Sequence, residues 1–220
     1  MLQYSTISFL KLLNINNNRP WFETNRSSYE NAKEDFLQLV QSLITGIGKF
    51  DADIAQLAVK NCVFRQYRDV RFAKDKRPYK NNMGAYFNAG GKKINTAGYY
   101  LHIEPGKSFV AGGLYEPEAS MLAKVRQEID YNLADWTKIL NATAFKKKFP
   151  GGLSKENMIS RPPKGYDADN PALEYLKHKS FTVTTPLSDD MLFQPSLKPL
   201  LLGSFKTLKP FLDFLNHSIT

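Results

Sequence analysis

Residues 62–114 carry an alternation of apolar and polar side chains that sets them apart from the rest of the chain. Valine, phenylalanine and tyrosine alternate there with polar residues, and glycine, asparagine and proline interrupt them at short intervals. This alternation is typical of half-buried strands and predicts strands near 62–71, 83–89, 97–104 and 108–114. The Glu-Pro-Gly-Lys turn at 104–107 and the short connections elsewhere predict an antiparallel β-meander.

Helical patterns flank this region on both sides. The clearest covers residues 28–47, where apolar side chains recur along one stripe, and Ser27 with Glu30 resembles a capping box at its start. Asn18 is placed to cap a preceding helix that has Pro20 in its first turn. Further helices are predicted at 6–13, 117–130 and 170–177, with one or two short helices over 132–148. The last 25 residues are predicted to form one kinked or two short helices, split at Pro210.

The order of these elements predicts an α+β fold in a single domain, residues 1–220. The β-meander, joined by a strand near 180–184, is expected to pack against the N-terminal and C-terminal helices, because helices on one face of an antiparallel sheet bury it economically.

The composition is that of an ordinary globular protein. Of the 220 residues, 42% are hydrophobic and 23% are charged, so a core can form without disulfides or metals. The single cysteine, Cys62, rules out a disulfide within the chain and is expected to be a buried apolar residue. The first residues lack a secretory pattern, and no stretch approaches the roughly 18 apolar residues of a membrane helix. We therefore predict a cytoplasmic protein without a membrane partner.

The available residues exclude several kinds of site. The chain has no phosphate-binding loop, no dinucleotide-binding glycine motif and no Gly-x-Ser-x-Gly nucleophile elbow. Three histidines and one cysteine cannot build a Cys/His zinc cluster. The segment 167–170 begins like a calcium loop but lacks the glycine and the acid that should follow. We therefore predict no cofactor and no metal, so that any catalysis would be metal-independent.

Positive charge is concentrated in residues 65–80. The chain has a net charge of +9, and this segment alone holds seven basic and two acidic residues. If residues 62–71 form a strand, arginines project from both of its faces, one of which should be core. A buried arginine needs an ion pair or a bound anion, and two acids cannot neutralise seven cations. The segment therefore predicts an anion-binding site.

The same segment contains a spaced motif: Arg65, Arg68, Asp69, Arg71 and Phe72, followed by Asp75-Lys76 and Pro78-Tyr79. It resembles the hallmark of a bacterial family known as domain of unknown function 2461, whose pattern is Arg-x-x-Arg-Asp-x-Arg-Phe, then Asp-Lys, then Pro-Tyr. The resemblance extends to Asn18, Trp21, Phe22, residues 99–103, Arg126 and residues 163–166, and so to nearly the whole chain. It implies membership of the family and no particular activity.

Two residues are predicted to transfer protons: His102 and Tyr79. Six are predicted to contact the ligand: Arg65, Arg68, Asp69, Arg71, Lys76 and Tyr100. Tyr100 and His102 alternate with Glu104 onto one face of the strand 97–104, and this face is expected to meet the arginines. The alternatives are a structural histidine, packing tyrosines, and an arginine network closed by Asp69, Asp75 and Glu104.

Three functions fit these residues. The first is binding of, or acid–base chemistry on, a small phosphorylated or carboxylated anion at residues 65–80. The second is an RNA-binding module or small nuclease, because aromatic and basic residues interleave there. The third is a protein-interaction scaffold with an acidic partner. Loss of ligand binding with an intact fold in Arg68→Ala is expected for the first function.

Overall fold

The computed structural model describes residues 1–219, which form helices around one four-stranded sheet. Before the sheet come α1 (Tyr4–Ile15), α2 (Arg19–Thr24), α3 (Arg26–Ile47), a 3-10 turn (Ala52–Ile54) and α4 (Val59–Cys62). Three strands follow: β1 (Met83–Phe87), β2 (Gly98–Ile103) and β3 (Ser108–Leu114). The rest comprises α5 (Ala119–Tyr131), α6 (Leu133–Asn141), α7 (Thr143–Lys148), α8 (Leu173–Leu176), β4 (Phe181–Leu187), α9 (Asp189–Leu192) and α10 (Leu197–Ile219).

The predicted α+β class and antiparallel meander are confirmed. The strands lie in the order β1-β2-β3-β4, and every neighbouring pair is antiparallel. The strand predicted near 180–184 is β4, which extends to Leu187 and pairs with β3. Strands that follow one another in the chain are therefore neighbours in the sheet; β1, β2 and β3 have short connections, whereas the connection from β3 to β4 contains the helices α5 to α8.

The strand predicted at 62–71 is wrong. Cys62 ends α4, and the chain beyond it makes only isolated bridges, Val63 with Ala85 and Tyr67 with Tyr79. The Gln66 side chain donates to the carbonyls of Lys80 and Asn82, so it occupies acceptors that a strand ladder would use. The arginines therefore do not project from the two faces of a strand.

The predicted helix 28–47 exists as α3 and begins two residues earlier, at Arg26. Its stripe is buried, and Phe36, Val40 and Leu43 are at most 3% exposed. The Ser27–Glu30 capping box is wrong, because the N-cap position is Asn25. The cap at Asn18 is confirmed: its Oδ1 accepts a hydrogen bond from the Trp21 backbone N–H at 3.0 Å.

The C-terminal residues form one helix, α10, which runs through Pro210 and is not divided there. Proline removes one helical hydrogen bond, but apolar side chains on both sides of it are buried on the same core. Phe205 contacts Phe87 and Tyr99 of the sheet, and Phe211 contacts Trp136 of α6. Packing of both halves keeps the helix continuous.

The two faces of the sheet have different surroundings. On β2, Tyr99, Leu101 and Ile103 are at most 1% exposed, and α10 packs against this side. Tyr100 and His102 point to the opposite face and are half-buried. Side chains of a strand alternate between its two faces in this way. His102, the predicted proton-transfer residue, therefore lies on the face opposite the one that packs on α10.

None of the helices within residues 1–219 combines the length and the apolar character that a membrane crossing requires. The cytoplasmic location stays a prediction.

Candidate anion-binding groove

Residues 64–82 form an irregular hairpin, here called the basic hairpin. Its two arms are joined by backbone hydrogen bonds from Arg68 to Pro78 (2.9 Å) and from Lys80 to Gln66 (2.8 Å). The Phe64 amide donates to the Gly84 carbonyl at 3.1 Å, which ties the base of the hairpin to β1. All seven basic residues of the segment are therefore carried on this hairpin, whose base is attached to β1.

Three ion pairs stabilise the tip of the hairpin, residues 68–77. They are Arg68–Asp75 (2.8 Å), Arg77–Asp75 (2.8 Å) and Arg71–Asp69 (2.7 Å). Arg71 lowers the pKa of Asp69, and Arg77 lowers the pKa of Asp75. Lys76 Nζ donates to the Val70 carbonyl at 3.0 Å. The tip thus contains the local part of the predicted arginine network, and Glu104 is connected to it indirectly, because Asn81 donates to Glu104 and shares the acceptor Asn14 with Arg77.

An open groove of about 640 Å³ lies beside the basic hairpin, between its first arm, α3 and α4. This volume is within the range of pockets that hold small molecules. Apolar and aromatic side chains line one part of it: Tyr29, Phe36, Leu37, Val63, Phe64, Tyr67 and Met83. Six cations line the rest, namely Lys33, Lys60, Arg65, Lys80, Lys92 and Lys93, together with Gln66.

The groove is electrostatically unbalanced. Its lining, as far as the structure describes the chain, includes six basic residues and no aspartate or glutamate. Lys33 pairs with Glu30 at 3.0 Å, just outside the groove. The Lys92 ammonium donates to the backbone carbonyls of Lys60 (2.7 Å) and Val63 (2.5 Å).

Five cations of the groove make no ion pair with a carboxylate of residues 1–219: Lys60, Arg65, Lys80, Lys92 and Lys93. Burial lowers the pKa of Lys80, and the positive charge of Arg65 lowers it further. Both effects disfavour the charged form of the Lys80 ammonium. A bound anion would offset them, so the site is suited to negative charge.

A hydrogen-bonded series runs along the face of β2 opposite the one that packs on α10. The Tyr100 hydroxyl lies 3.1 Å from Nδ1 of His102, and Nε2 of His102 lies 2.9 Å from Oε2 of Glu104. Asn81 Nδ2 donates to the other Glu104 oxygen at 3.0 Å. When Nε2–H donates to Glu104, Nδ1 accepts from Tyr100, so one neutral tautomer satisfies the whole series.

This series is next to the groove and not within it. The ring of Phe64, which lines the groove, meets the Tyr100 ring edge-on at 6.2 Å. Gly84 makes room for this arrangement, because a Cβ there would lie 2.8 Å from the Tyr100 hydroxyl oxygen. Burial, together with the Glu104 carboxylate, raises the pKa of Tyr100 to about 12.

Tyr79 belongs to a separate aromatic cluster. Its side chain is 2% exposed and stacks on Phe22 with ring centroids 3.9 Å apart, and Tyr67 covers it at 5.0 Å. Asn17 holds the Tyr79 backbone through two hydrogen bonds of 3.0 Å. Burial raises its pKa. A proton-transfer role for Tyr79 stays a prediction, and the observed contacts are those of a packing residue.

The structure separates the predicted site residues into groups. Among residues 1–219, Arg65 is the one predicted ligand residue that lines the groove. Four others lie in the braced tip: Arg68, Asp69, Arg71 and Lys76. Tyr100 and His102 lie on the sheet face, where in the described chain they hydrogen-bond to each other and to Glu104 and not to the arginines that were expected to meet them. No group of three His, Cys, Asp or Glu side chains in this range could hold a metal ion.

A family model described as "Conserved hypothetical protein (DUF2461)" matches residues 5–214. The chain belongs to the DUF2461 family. No curated protein and no solved structure matches it. The residues that suggested DUF2461 membership lie mainly in the basic hairpin, where Phe72 at the tip is 96% exposed.

In this DUF2461 chain, sequence reasoning missed most of the groove. Four of its lysines lie outside the basic hairpin: Lys33 on α3, Lys60 on α4, and Lys92 and Lys93 in the loop after β1. They are far apart in sequence, so no local charge count groups them. The adjacent pair Lys92-Lys93, after two glycines, was the one local signal available.

Proposed function

We propose that this protein binds a small phosphorylated or carboxylated molecule in the groove beside the basic hairpin. The observation that carries the proposal is the concentration of six cationic side chains, without a carboxylate among them, on the described lining of a 640 Å³ groove. Such an arrangement costs electrostatic free energy when it is empty, and a bound anion reduces that cost.

Arg65 and Lys80 are the central contacts in this proposal. Arg65 offers a planar fork of donors that matches the geometry of carboxylates and phosphates. Lys80 is half-buried next to it and lies over the Phe64 ring at 5.2 Å. Lys60 and Lys93 are exposed at the groove, where they attract an anion from solution.

Thermal shift measurements against a panel of small anions test the proposal. The panel contains phosphate, acetate, nucleotides, sugar phosphates and short RNA. At 100 times its dissociation constant a ligand adds about 2.7 kcal/mol of stability. A domain of this size melts about 2–4 °C higher for each kcal/mol. We therefore expect the best small anion to raise Tm by roughly 5–10 °C.

A double variant, Arg65→Gln with Lys80→Gln, is the control for general salt effects, because phosphate stabilises many proteins without a site. The shift should disappear in the variant when it comes from the groove. An equal shift in both proteins contradicts the proposal. Binding of RNA alone, with an affinity that falls steeply with salt, favours the nucleic-acid function instead. If no ligand of the panel raises Tm, a protein partner is favoured instead.

A second candidate function is acid–base chemistry on the bound anion, with His102 as the proton carrier. The Tyr100–His102–Glu104 series favours it, because a histidine oriented by a carboxylate can pass a proton to or from a hydroxyl. The Tyr100 ring packs behind Phe64, so the series is one aromatic ring away from the ligand in this proposal.

NMR of protein labelled in its histidine rings tests this second function. The resonances of His102, assigned with His102→Gln, are expected to shift when the groove anion identified above saturates the protein. His178, buried against Phe181, serves as an internal reference. Unchanged His102 signals at saturation would exclude the ring from the chemistry and leave it as a structural histidine.

A further inference from the structure

The groove has an apolar floor as well as a cationic rim. Phe36 of α3 and Met83 of β1 are at most 6% exposed and close its bottom, and Leu37 and Val63 continue the apolar surface upward. Phe64 is 41% exposed at its edge. A phosphate or carboxylate alone would contact the rim and leave this floor in water.

The hydrogen-bonding groups of the groove are almost all donors. Six of its side chains are cations, which donate and cannot accept. The acceptors among its side chains are few: the hydroxyls of Tyr29 and Tyr67 and the oxygen of Gln66, whose nitrogen donates to two backbone carbonyls within the hairpin. A sugar or a nucleobase also needs acceptors for its own O–H and N–H groups, and burying those unpaired is costly. A hydrocarbon needs none.

We infer that the ligand is an amphiphilic anion, with a phosphate or carboxylate head at the cationic rim and a hydrocarbon chain on the apolar floor. This inference rests on the proposed function, since it assigns the head group to the same cations. Lysine side chains suit such a ligand, because their methylenes can cover apolar surface while the ammonium group meets the charged head.

In this inference the protein binds the amphiphile as a single molecule and not as part of a membrane. The groove is a concave site between α3, α4 and the hairpin, with its apolar residues at the bottom. A membrane surface would instead meet a protruding apolar patch. The one strongly protruding aromatic residue of the hairpin is Phe72, which lies at the tip and does not line the groove in the described chain.

Calorimetric titration with alkyl phosphates and alkyl carboxylates from butyl to dodecyl tests the inference. All are kept below the concentrations at which they form micelles. Affinity is expected to rise by up to about fourfold per methylene until the floor is covered, and then to level off. The heat capacity of binding should become more negative along the same series. Alcohols of matching length should bind far more weakly.

Two leucine variants separate the floor from general effects. Leu37→Asn changes the groove, whereas Leu12→Asn changes an exposed residue of α1 outside it. Leu37→Asn should flatten the dependence on chain length and leave the affinity for butyl phosphate nearly unchanged. Leu12→Asn should alter neither.

The outcomes distinguish failure of this inference from failure of the proposed function. Affinity that is independent of chain length, while butyl phosphate still binds through Arg65, overturns this inference and leaves the proposed function intact. No binding by any anion overturns both. Binding to vesicles that contain phosphatidylglycerol, without binding to monomeric amphiphiles, also overturns the inference and assigns the surface to membranes.

Discussion

Arg65→Gln is expected to weaken binding of the groove anion by roughly 10- to 100-fold, because a hydrogen bond to a charged group contributes about 1.5–3 kcal/mol. Arg65 is exposed and makes no ion pair with a carboxylate in the described chain. Its replacement should therefore change the free energy of unfolding by less than about 0.5 kcal/mol. Calorimetric titration and urea denaturation measure the two effects separately.

Arg71→Gln is the matched control. Arg71 belongs to the same motif, but its side chain is 76% exposed and pairs with Asp69 at the tip. Removing it changes the net charge by the same amount as Arg65→Gln. Equal weakening by the two variants would mean that the anion responds only to the overall field. Stronger weakening by Arg71→Gln would move the site to the tip and restore the motif arginines as its centre.

Arg65→Lys refines the result. It keeps the charge and removes the planar fork, so a bidentate contact should be weakened while a purely electrostatic one survives. An affinity close to that of the unchanged protein would show that Arg65 acts through its charge.

The sheet could be predicted from the sequence because its signals are local. Alternation over β2 and β3 and the turn at 104–107 lie within a few residues of the pairs that they predict. The helix α3 was predictable for the same reason, since its buried stripe repeats within one element. Its start was not, because the cap depends on which neighbouring polar residue takes the non-helical position.

The strand predicted at 62–71 was wrong because the residues of this basic segment alternate as they would in a strand. Its aromatic and polar residues do alternate, but the hydrogen bonds that would make a ladder are replaced by side-chain contacts. Gln66 binds carbonyls of the opposite arm, and Asp75 binds Arg68 and Arg77. The alternative of a structural ion-pair network therefore describes the tip better than a row of free arginines.

The groove could not be predicted because it is built from distant segments. Lys33 of α3, Arg65 of the hairpin and Lys92 of the loop after β1 meet there through the packing of three elements. The contact between Tyr100, His102 and Glu104 was predictable, since residues two apart share a face of a strand. Which arginines approach this contact depends on the path of the hairpin, which no local pattern encodes.

Tyr79→Ala is expected to destabilise the protein by about 3–5 kcal/mol, the usual cost of truncating a buried aromatic side chain. The ring is 2% exposed and stacks on Phe22, which is itself fully buried. Tyr79→Phe keeps the stacked ring and removes a hydroxyl that contacts Tyr67, so it should cost only about 1 kcal/mol. Urea denaturation followed by circular dichroism gives both values.

Tyr67→Ala is the comparison within the same cluster. Tyr67 is 44% exposed, so its truncation should cost clearly less than that of Tyr79. The pair Tyr79→Phe and Tyr79→Ala also decides the role of the hydroxyl. If Tyr79 anchors the hairpin by packing, Tyr79→Phe binds the groove anion normally. If Tyr79→Phe folds with full stability and loses turnover of that anion, the hydroxyl takes part in the chemistry and the predicted proton-transfer role stands.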